Sequence, residues 1–528
     1  MAEITFGKHL LESLTKGMYT DPLTIYREYI QNSADAIDEA VSRGIISHEQ
    51  AKIHITVDSK KRKILIEDNG IGVPTNQVEN CLLDIANSQK DYRKNRGFRG
   101  IGRLGGLGYS ENLYFVTSFK GEPIKTTIKW DGNNFLKLLD IENLDVIKAA
   151  DVINISSQTY TEPEDAESHY FKVILENVFN NFSQLIDEKQ VSYYLANVAP
   201  VPFDGQKFIY TQTITPEFSN VGHPIETYNI LLNGRAKPVY KEYTSHFKTG
   251  HQERSKKEDV IQDIAFFQDT MPDGSLMYKG WYAITHFYGS VSNPYMSGIR
   301  IRKGNILIGN ESVFSNFFSE GKVANSWFIG EVHVYNPAVL PNSQRDDFEK
   351  NTAYEMLKTS LSKKADEINR EHRRLMSTFH SSVKRVETTL AKLDEVENRI
   401  AEGTVSSEFD REKLLKEKKE IESRLTSEKK ELEKLATKDS LDDIYRKKAK
   451  DLVLTAEKAE KKIVEVENKI VNADTATKND LPTSFSRDER KLYSKIIESI
   501  YSYFETDRAI ADKIKEKILY DLKEKKKK

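Results

Sequence analysis

Glu28, Asn32 and Asp35 are spaced by four and three residues, which on a helix places them along one face about a turn apart. Tyr29, Ile30 and Ala34 beside them can meet a sheet, so the polar stripe runs along the edge of a buried surface. A second feature is Asp68 with Gly70 and Gly72, in "DNGIGVP" just after the strand-like "RKILI". An ionised carboxylate only accepts hydrogen bonds, so at a strand end it wants a donor. The exocyclic amine of adenine is one, and glycines let a flat ring approach the backbone. The third feature is a basic, glycine-rich loop, "NSQKDYRKNRGFRGIGRLGGLGYS", with Ser88, Lys90, Gly100, Gly102, Arg103 and Gly105 among its residues. Exposed backbone N–H groups and nearby cations are what a polyphosphate needs. Taken singly, Asp68-Asn69-Gly70 reads as a turn and the stripe as an ordinary charged helix face. Taken together, the three point to a nucleotide.

Other chemistries are disfavoured. "GIGRLG" satisfies G-x-G-x-x-G, but "KDYRKNRGFR" precedes it where a dinucleotide fold requires a strand. There is no G-x-x-x-x-G-K-[ST] and no G-x-S-x-G. His372 and His380 lack the H-E-x-x-H pattern of a zinc site and read as solvated histidines on a charged helix. The single cysteine, Cys81, excludes an intrachain disulfide framework. With 79 basic and 81 acidic residues, overall charge offers no argument for a nucleic-acid partner. No basic start followed by an apolar stretch and no uncharged apolar run of membrane length is present, so the expected setting is the cytoplasm, with no membrane partner.

The elements that must position these residues alternate helix and strand over 1–180. "DPLTIYREYIQNSADAIDEAVSRG" has helical spacing and ends on Gly44, a plausible C-cap. "KIHITVD", "KILIED", "NLYFVTSFK", "IKTTIKW" and "YFKVILENV" read as strands. Over 181–355 the strand signal dominates, with "KFIYTQTIT", "YNILLNG", "WYAITHFYG", "GIRIRKGNILIG" and "FIGEVHVY". Over 356–475, Val383, Val386, Leu390 and Leu393, then Leu414, Ile421, Leu425, Leu432 and Leu435, keep heptad spacing on either side of "EGTVSSEFD". An antiparallel coiled-coil hairpin is expected there. Residues 476–528 form a final amphipathic helical segment. The fold class is α+β, with two mixed domains followed by helices.

The order "EYIQNSADA", "DNGIG" and "GIGRLGGLGYS" resembles the GHKL ATPases, which include HtpG-type heat-shock chaperones, MutL, MORC proteins, gyrase B subunits and histidine kinases. "RGFRG" is similar to MutL and "GLGYS" to the chaperones. "LPNSQRDDFEKN", with Asn342, Arg345, Asp346 and Phe348, resembles the chaperone middle-domain loop. The resemblance implies a Bergerat-type ATP-binding α/β sandwich over 1–180 and a transducer domain over 181–355. It implies ATP and Mg²⁺ as ligands, Glu28 as general base, Asn32 as magnesium ligand and Asp68 as the adenine-recognising carboxylate with Gly72 beside the ring. A lid from Asn87 to Gly108 would hold the phosphates through Ser88, Lys90 and the Gly100–Gly105 backbone, and Arg345 would stabilise charge on the γ-phosphate. The chain departs from the pattern at Asn80 and Cys81, where the chaperones have an Asn pair, and at "SHYFKVIL", where a Gly-Thr usually opens the last strand. For function, the resemblance implies an ATPase that closes and dimerises on ATP to act on a protein client, in the manner of chaperone-like and MORC-like ATPases of prokaryotic phage-defence neighbourhoods. An ATP-gated DNA clamp and a non-hydrolysing nucleotide-gated scaffold are the alternatives.

Overall fold

The computed structural model describes residues 7–8, 11–12, 15, 21–84, 102–140, 147–250, 256–401, 408–437, 443–472, 486–504 and 506–525. The chain divides into two compact units, Met1–Asn369 and Arg370–Lys528.

Helix α1 (Thr24–Ser42) opens the first unit. Strands β1 (Lys52–Asp58) and β2 (Lys63–Asp68) alternate buried and less buried residues, so one face of their sheet is covered. With β3 (Ser110–Ser118), β4 (Ile124–Asp131), β5 (Ser157–Pro163), β6 (Tyr170–Val178) and β7 (Asn229–Leu232) they form a seven-stranded sheet in the order β5-β4-β3-β6-β2-β1-β7. Neighbours are antiparallel except β1 and β7, which run parallel. Ile25, Tyr26, Tyr29, Ile30, Ala34 and Ile37 of α1 share one buried cluster with Ile53, Ile55, Ile64, Ile66, Leu113 and Phe115 of the sheet. The apolar side of α1 therefore lies on the sheet.

This core draws on residues beyond 180. Helices α2 (Gly132–Leu139) and α3 (Ala149–Ser156) precede β5, and α4 (Glu188–Val198) follows β6, capped by the Asp187 carboxylate, which accepts from Lys189 N and Gln190 N. Val191 and Leu195 of α4 and Ile230 and Leu232 of β7 are buried in the same cluster as α1. The segment "KFIYTQTIT", expected as a strand, instead leads into helix α5 (Thr211–Asn220). Its threonines favour a strand locally, but Ile214 and Phe218, four residues apart, are both buried, and tertiary burial of that helical pair outweighs propensity.

The second sheet has the order β10-β11-β14-β12-β13, from β10 (Asp263–Thr270), β11 (Leu276–Ile284), β12 (Gly298–Lys303), β13 (Ile306–Leu307) and β14 (Ile329–Val334). Strands β8 (His246–Thr249) and β9 (Lys257–Val260) form a separate pair. Trp281 of β11 packs together with Phe208, Phe203 and Tyr243. α+β architecture with a helical C-terminal region is thus the observed class.

In the second unit, helices α6 (Thr352–Ala401, entering from the first unit), α7 (Glu408–Ala436) and α8 (Asp443–Asn472) share one apolar seam. Two heptad runs imply a two-helix hairpin, yet Ala456, Ala459, Ile463, Val466 and Ile470 of α8 join Val386, Leu393, Leu414, Ile421 and Leu425 in the seam. Small alanines carry little apolar signal in a sequence but allow a third helix to approach closely. Arg385–Glu428 ties α6 to α7, and Lys418–Glu467 at 2.7 Å ties α7 to α8. His372, expected to be solvated, is 6% exposed, because the helix face that carries it is covered; the His380 side chain lies outside the described residues. Helices α9 (Arg487–Tyr503) and α10 (Arg508–Lys525) close the chain, α9 beginning on a capping box between Ser486 and Glu489. No helix among the described residues is long and apolar enough to cross a membrane.

His333 of β14 is buried against the edge of Phe218, with Nε2 3.2 Å from Glu331 Oε2. Burial pushes its imidazole down from 6.5 to about 4. In that window the unfolded chain takes up a proton that the folded ring refuses, so stability falls as pH falls from 6.5 towards about 4. Thermal unfolding across that range should show a falling Tm, and His333→Gln should remove part of the slope. An identical slope in the variant would refute the assignment.

Candidate nucleotide site

The burial of α1 against the sheet presents Glu28, half-buried Asn32 and buried Asp35 successively along one side of the helix. Glu28 is 6% exposed, as are Arg27 and Arg345. Arg345 Nε stands 3.0 Å from Glu28 Oε1, and Arg27 Nε stands 3.5 Å from the same oxygen. Glu28 Oε1 nevertheless has no aligned hydrogen bond, so these contacts are attractions of charge with an acceptor left over.

Arg345 reaches α1 from a loop after β14. That loop is closed by a Pro341–Phe348 bridge, by Asn342 N donating to Asp347 O at 2.9 Å, and by Asn342 Nδ2 donating to Asp346 Oδ1 at 2.6 Å. Arg345 itself has a φ of +56°, a left-handed conformation that a non-glycine residue adopts only where its surroundings impose it. Arg27 contributes to that imposition, donating from Nη2 to Gln344 O at 2.8 Å and from Nη1 to Arg345 O at 3.3 Å.

On the other side of Glu28 lies the end of the glycine-rich loop, a 3-10 turn over Gly102–Gly108. A Cβ on Gly102 would stand 2.3 Å from Glu28 Oε2, so the absence of a side chain there makes room for the carboxylate. Tyr29 holds the turn in place, its hydroxyl donating to Arg103 O at 3.0 Å and accepting from Gly106 N at 3.1 Å. Burial first, against the hydrogen bond from Gly106, raises the Tyr29 phenol. Arg103 turns its Nη2 to the carbonyl of Asp84, and burial lowers its guanidinium. Gly105 is buried within the turn. Ser88, Lys90 and Gly100 lie outside the described residues.

Asp68, the last residue of β2, is 2% exposed and accepts from Gly70 N at 2.9 Å. Gly70 is wedged against α1, since a Cβ there would be 2.7 Å from Ala36, and Ile71 N donates to Ala36 O at 3.1 Å. Gly72 has a φ of +71°, and a Cβ would meet the Ser118 carbonyl oxygen at 2.0 Å, so only glycine fits. Thr117 secures the same corner, accepting from Val73 N at 2.8 Å and donating to Tyr170 O at 3.1 Å. In register, Asp68 and Thr117 flank Phe171 on β6, so the three stand in one row across the sheet. His169 Nδ1 lies 2.9 Å from Gly70 O.

The structure therefore brings Glu28, Gly102 and Arg345 together at one end of α1 and places Asp68 and Gly70 beside Ala36 near the other. Eight residues of helix separate those ends, about 12 Å of rise, which suits an elongated ligand laid along the helix. Sequence reasoning missed Arg27, Tyr29 as the anchor of the glycine turn, and Thr117. Only the adjacency of Arg27 to Glu28 could have signalled the first, and β3 offers no local sign that Thr117 lies beside Asp68. The donor set suits magnesium carried on a polyphosphate. Among the described residues no cluster of three or more His, Cys, Asp or Glu forms a cage for a metal, and magnesium typically takes one or two protein oxygens with the rest from phosphates and water.

Gly102→Ala should displace the Glu28 carboxylate without disturbing the Asp68 end. The expected result is a loss of turnover of about 10-fold or more with nucleotide affinity and Tm little changed. Parent-level turnover would show that the contact between Gly102 and Glu28 is incidental.

Residues 22–160 match the family described as histidine kinase-, DNA gyrase B- and HSP90-like ATPase. The chaperone protein HtpG of Buchnera aphidicola subsp. Acyrthosiphon pisum (strain APS) is 31% identical over 144 residues, 24% of this chain and 23% of that protein. HtpG of Clostridium botulinum (strain 657 / Type Ba4) is 23% identical over 330 residues, 58% of this chain and 49% of that protein. HtpG of Clostridium acetobutylicum is 22% identical over 317 residues, 51% of this chain and 50% of that protein. The chain thus spans half or less of the length of these relatives. Residues 22–160 are a GHKL-type ATPase domain, in a chain that resembles the HtpG chaperones.

Proposed function

We propose that the protein binds and hydrolyses ATP and uses the cycle to act, as a homodimer, on a protein client. The observation that carries this reading is the meeting of three distant segments on one buried carboxylate: Glu28 from α1, Gly102 from the glycine turn and Arg345 from the second sheet's loop. Adenine lies at Asp68, which accepts from its exocyclic amine, with Gly70 and Gly72 leaving room for the ring and Asp35 on the helix beside it. The phosphates run along α1 towards Gly102, Gly105 and Arg103, with Ser88, Lys90 and Gly100 contributing from the preceding loop. Glu28 orients a water and takes its proton as the water oxygen bonds to the γ-phosphorus and the bond to the β–γ bridging oxygen breaks. Arg345 supplies positive charge where negative charge spreads over the γ-phosphoryl oxygens. Such catalysis is mostly positioning and electrostatics, so its parts can come from two domains. Asn32 would hold the Mg²⁺, which when bound neutralises phosphate charge.

In this conformation Arg345 is paired with Glu28 itself, at 3.0 Å. A phosphate arriving at the same place competes for the guanidinium and frees the carboxylate for water. ATP therefore draws the two halves of the first unit into a new arrangement, and the change is passed on through α6, which begins in that unit. The similarity to HtpG across the ATP-binding and following segments supports a protein client and dimerisation.

Steady-state hydrolysis by the purified protein, beside Glu28→Ala, tests the reading. The variant should bind ATP yet lose about 10²-fold or more of the rate. Equal rates would overturn the role of Glu28, and absence of turnover in both would leave ATP as a gating ligand only. Asp68→Asn should weaken ATP binding about 10- to 100-fold, in line with about 1.5–3 kcal/mol for a charge-assisted hydrogen bond. Unchanged affinity by calorimetry would remove adenine from that position.

A further inference from the structure

At the centre of the second sheet, Glu331 of β14 has no exposed surface. Its Oε1 accepts from Arg302 Nε of β12 at 2.6 Å and from the Tyr243 hydroxyl at 3.1 Å, and its Oε2 accepts from Lys241 Nζ at 2.7 Å. Lys241 and Arg302 are themselves 2% and 1% exposed. Burying three charges is costly, and such clusters more often secure a specific arrangement than add stability. The arrangement here is a junction. Lys241, Asn197 and Glu226 lie in or beside the segment between α4 and β8, whereas Glu331 and Arg302 belong to the second sheet.

The cluster reaches outward in two directions. Towards the nucleotide-binding half, Arg302 Nη2 donates to Asn197 O near the end of α4 at 2.8 Å. Lys241 Nζ donates to Asn305 Oδ1 at 2.9 Å, and Asn305 Nδ2 donates to Glu226 O at 2.6 Å. Towards Arg345, the β12–β13 hairpin pairs Arg302 with Leu307, and Ile306 and Leu307 pack on Val198 and Tyr194 of α4. Two residues past Leu307, Gly309 N donates to the Arg345 carbonyl at 2.9 Å. Gly309 lies so close to the loop that a Cβ on it would be 2.3 Å from Asp346 O. The same Arg345 carbonyl accepts from Arg27 Nη1. A continuous line of hydrogen bonds and paired strands therefore runs from Glu331 through the hairpin to the backbone of Arg345.

We propose that the buried Lys241–Glu331–Arg302 cluster is a positioning joint that sets where the Arg345 guanidinium stands relative to Glu28 and the γ-phosphate. It rests on the reading of Arg345 given above and adds residues that touch neither nucleotide nor water. The joint works because the hairpin is short and fastened at both ends. Loosening Lys241 lets the 302–309 segment shift on α4, and Gly309 moves the Arg345 backbone with it. A misplacement of about 1 Å at a reacting group can cost about 10²-fold in rate. Burial, and next the Arg302 charge, push the Lys241 ammonium down to about 7, against the pull of Glu331.

The test is a double-mutant cycle in the 528-residue chain, reading kcat and ATP affinity separately. Lys241→Met keeps the volume and removes the cation. Asn305→Gly suits the φ of +57° at that residue while cutting the link to Glu226, and serves if the first variant folds poorly. Each should lower kcat about 10-fold with ATP affinity within about 2-fold of the parent. Combined with Arg345→Ala, each should add less than about 2-fold to the loss from Arg345→Ala alone, because both act through the same guanidinium. Losses that multiply, or weakened ATP binding at unchanged kcat, would overturn the joint, since a general structural defect behaves that way. Parent-level kcat in both single variants would also overturn it. An Arg345→Ala protein that turns over at the parent rate would instead refute the reading of Arg345, and the joint with it.

Discussion

A carboxylate removed from water must be met by hydrogen-bond donors or by cations, and at Glu28 the first unit meets that demand with two arginines. Its own helix supplies Arg27 one residue earlier, and Arg345 comes from more than three hundred residues away. The pairing keeps an otherwise unfavourable group buried while leaving Glu28 Oε1 without an aligned hydrogen bond. An acceptor in that condition is available to a water or a ligand that offers a better geometry. The left-handed backbone at Arg345 and its carbonyl bonds to Arg27 and Gly309 are the structural cost of bringing the second cation to that place.

The glycines at the site have different jobs, although in the chain they look alike. Gly72 turns the backbone where no Cβ can pass the Ser118 carbonyl, Gly70 lets the β2 corner close on α1, and Gly102 leaves space for the Glu28 carboxylate. Two of these are about shape and one is about chemistry. Tyr29 secures the last of them, because its ring belongs to the apolar core while its hydroxyl fastens the glycine turn to the helix that carries Glu28.

How much was legible in advance depended on the range of the interactions involved. Asp68 at the end of β2 and the polar stripe on α1 followed from local period and hydrogen-bonding capacity, and their places in the fold agree with that reading. The segment after Lys207 did not, because its threonines favour a strand while the buried pair Ile214 and Phe218 requires a helix. The third helix of the C-terminal seam was equally hidden, since Ala456 and Ala459 hold their places by being small. Thr117 could not be found at all from its neighbours in the chain, because its proximity to Asp68 exists only across β6.

The sequence by itself determined that Glu28, Asn32 and Asp35 would ride on one helix and that Asp68 would end a strand, because helix and strand periods are local properties. Tertiary structure alone decided that Arg345 would answer Glu28, that Gly102 would lie against the same carboxylate, and that Lys241 and Arg302 would share Glu331. Those meetings depend on strand order and on the packing of α4 against the β12–β13 hairpin. Such contacts join groups tens to hundreds of residues apart, and no period or short motif encodes a distance of that kind.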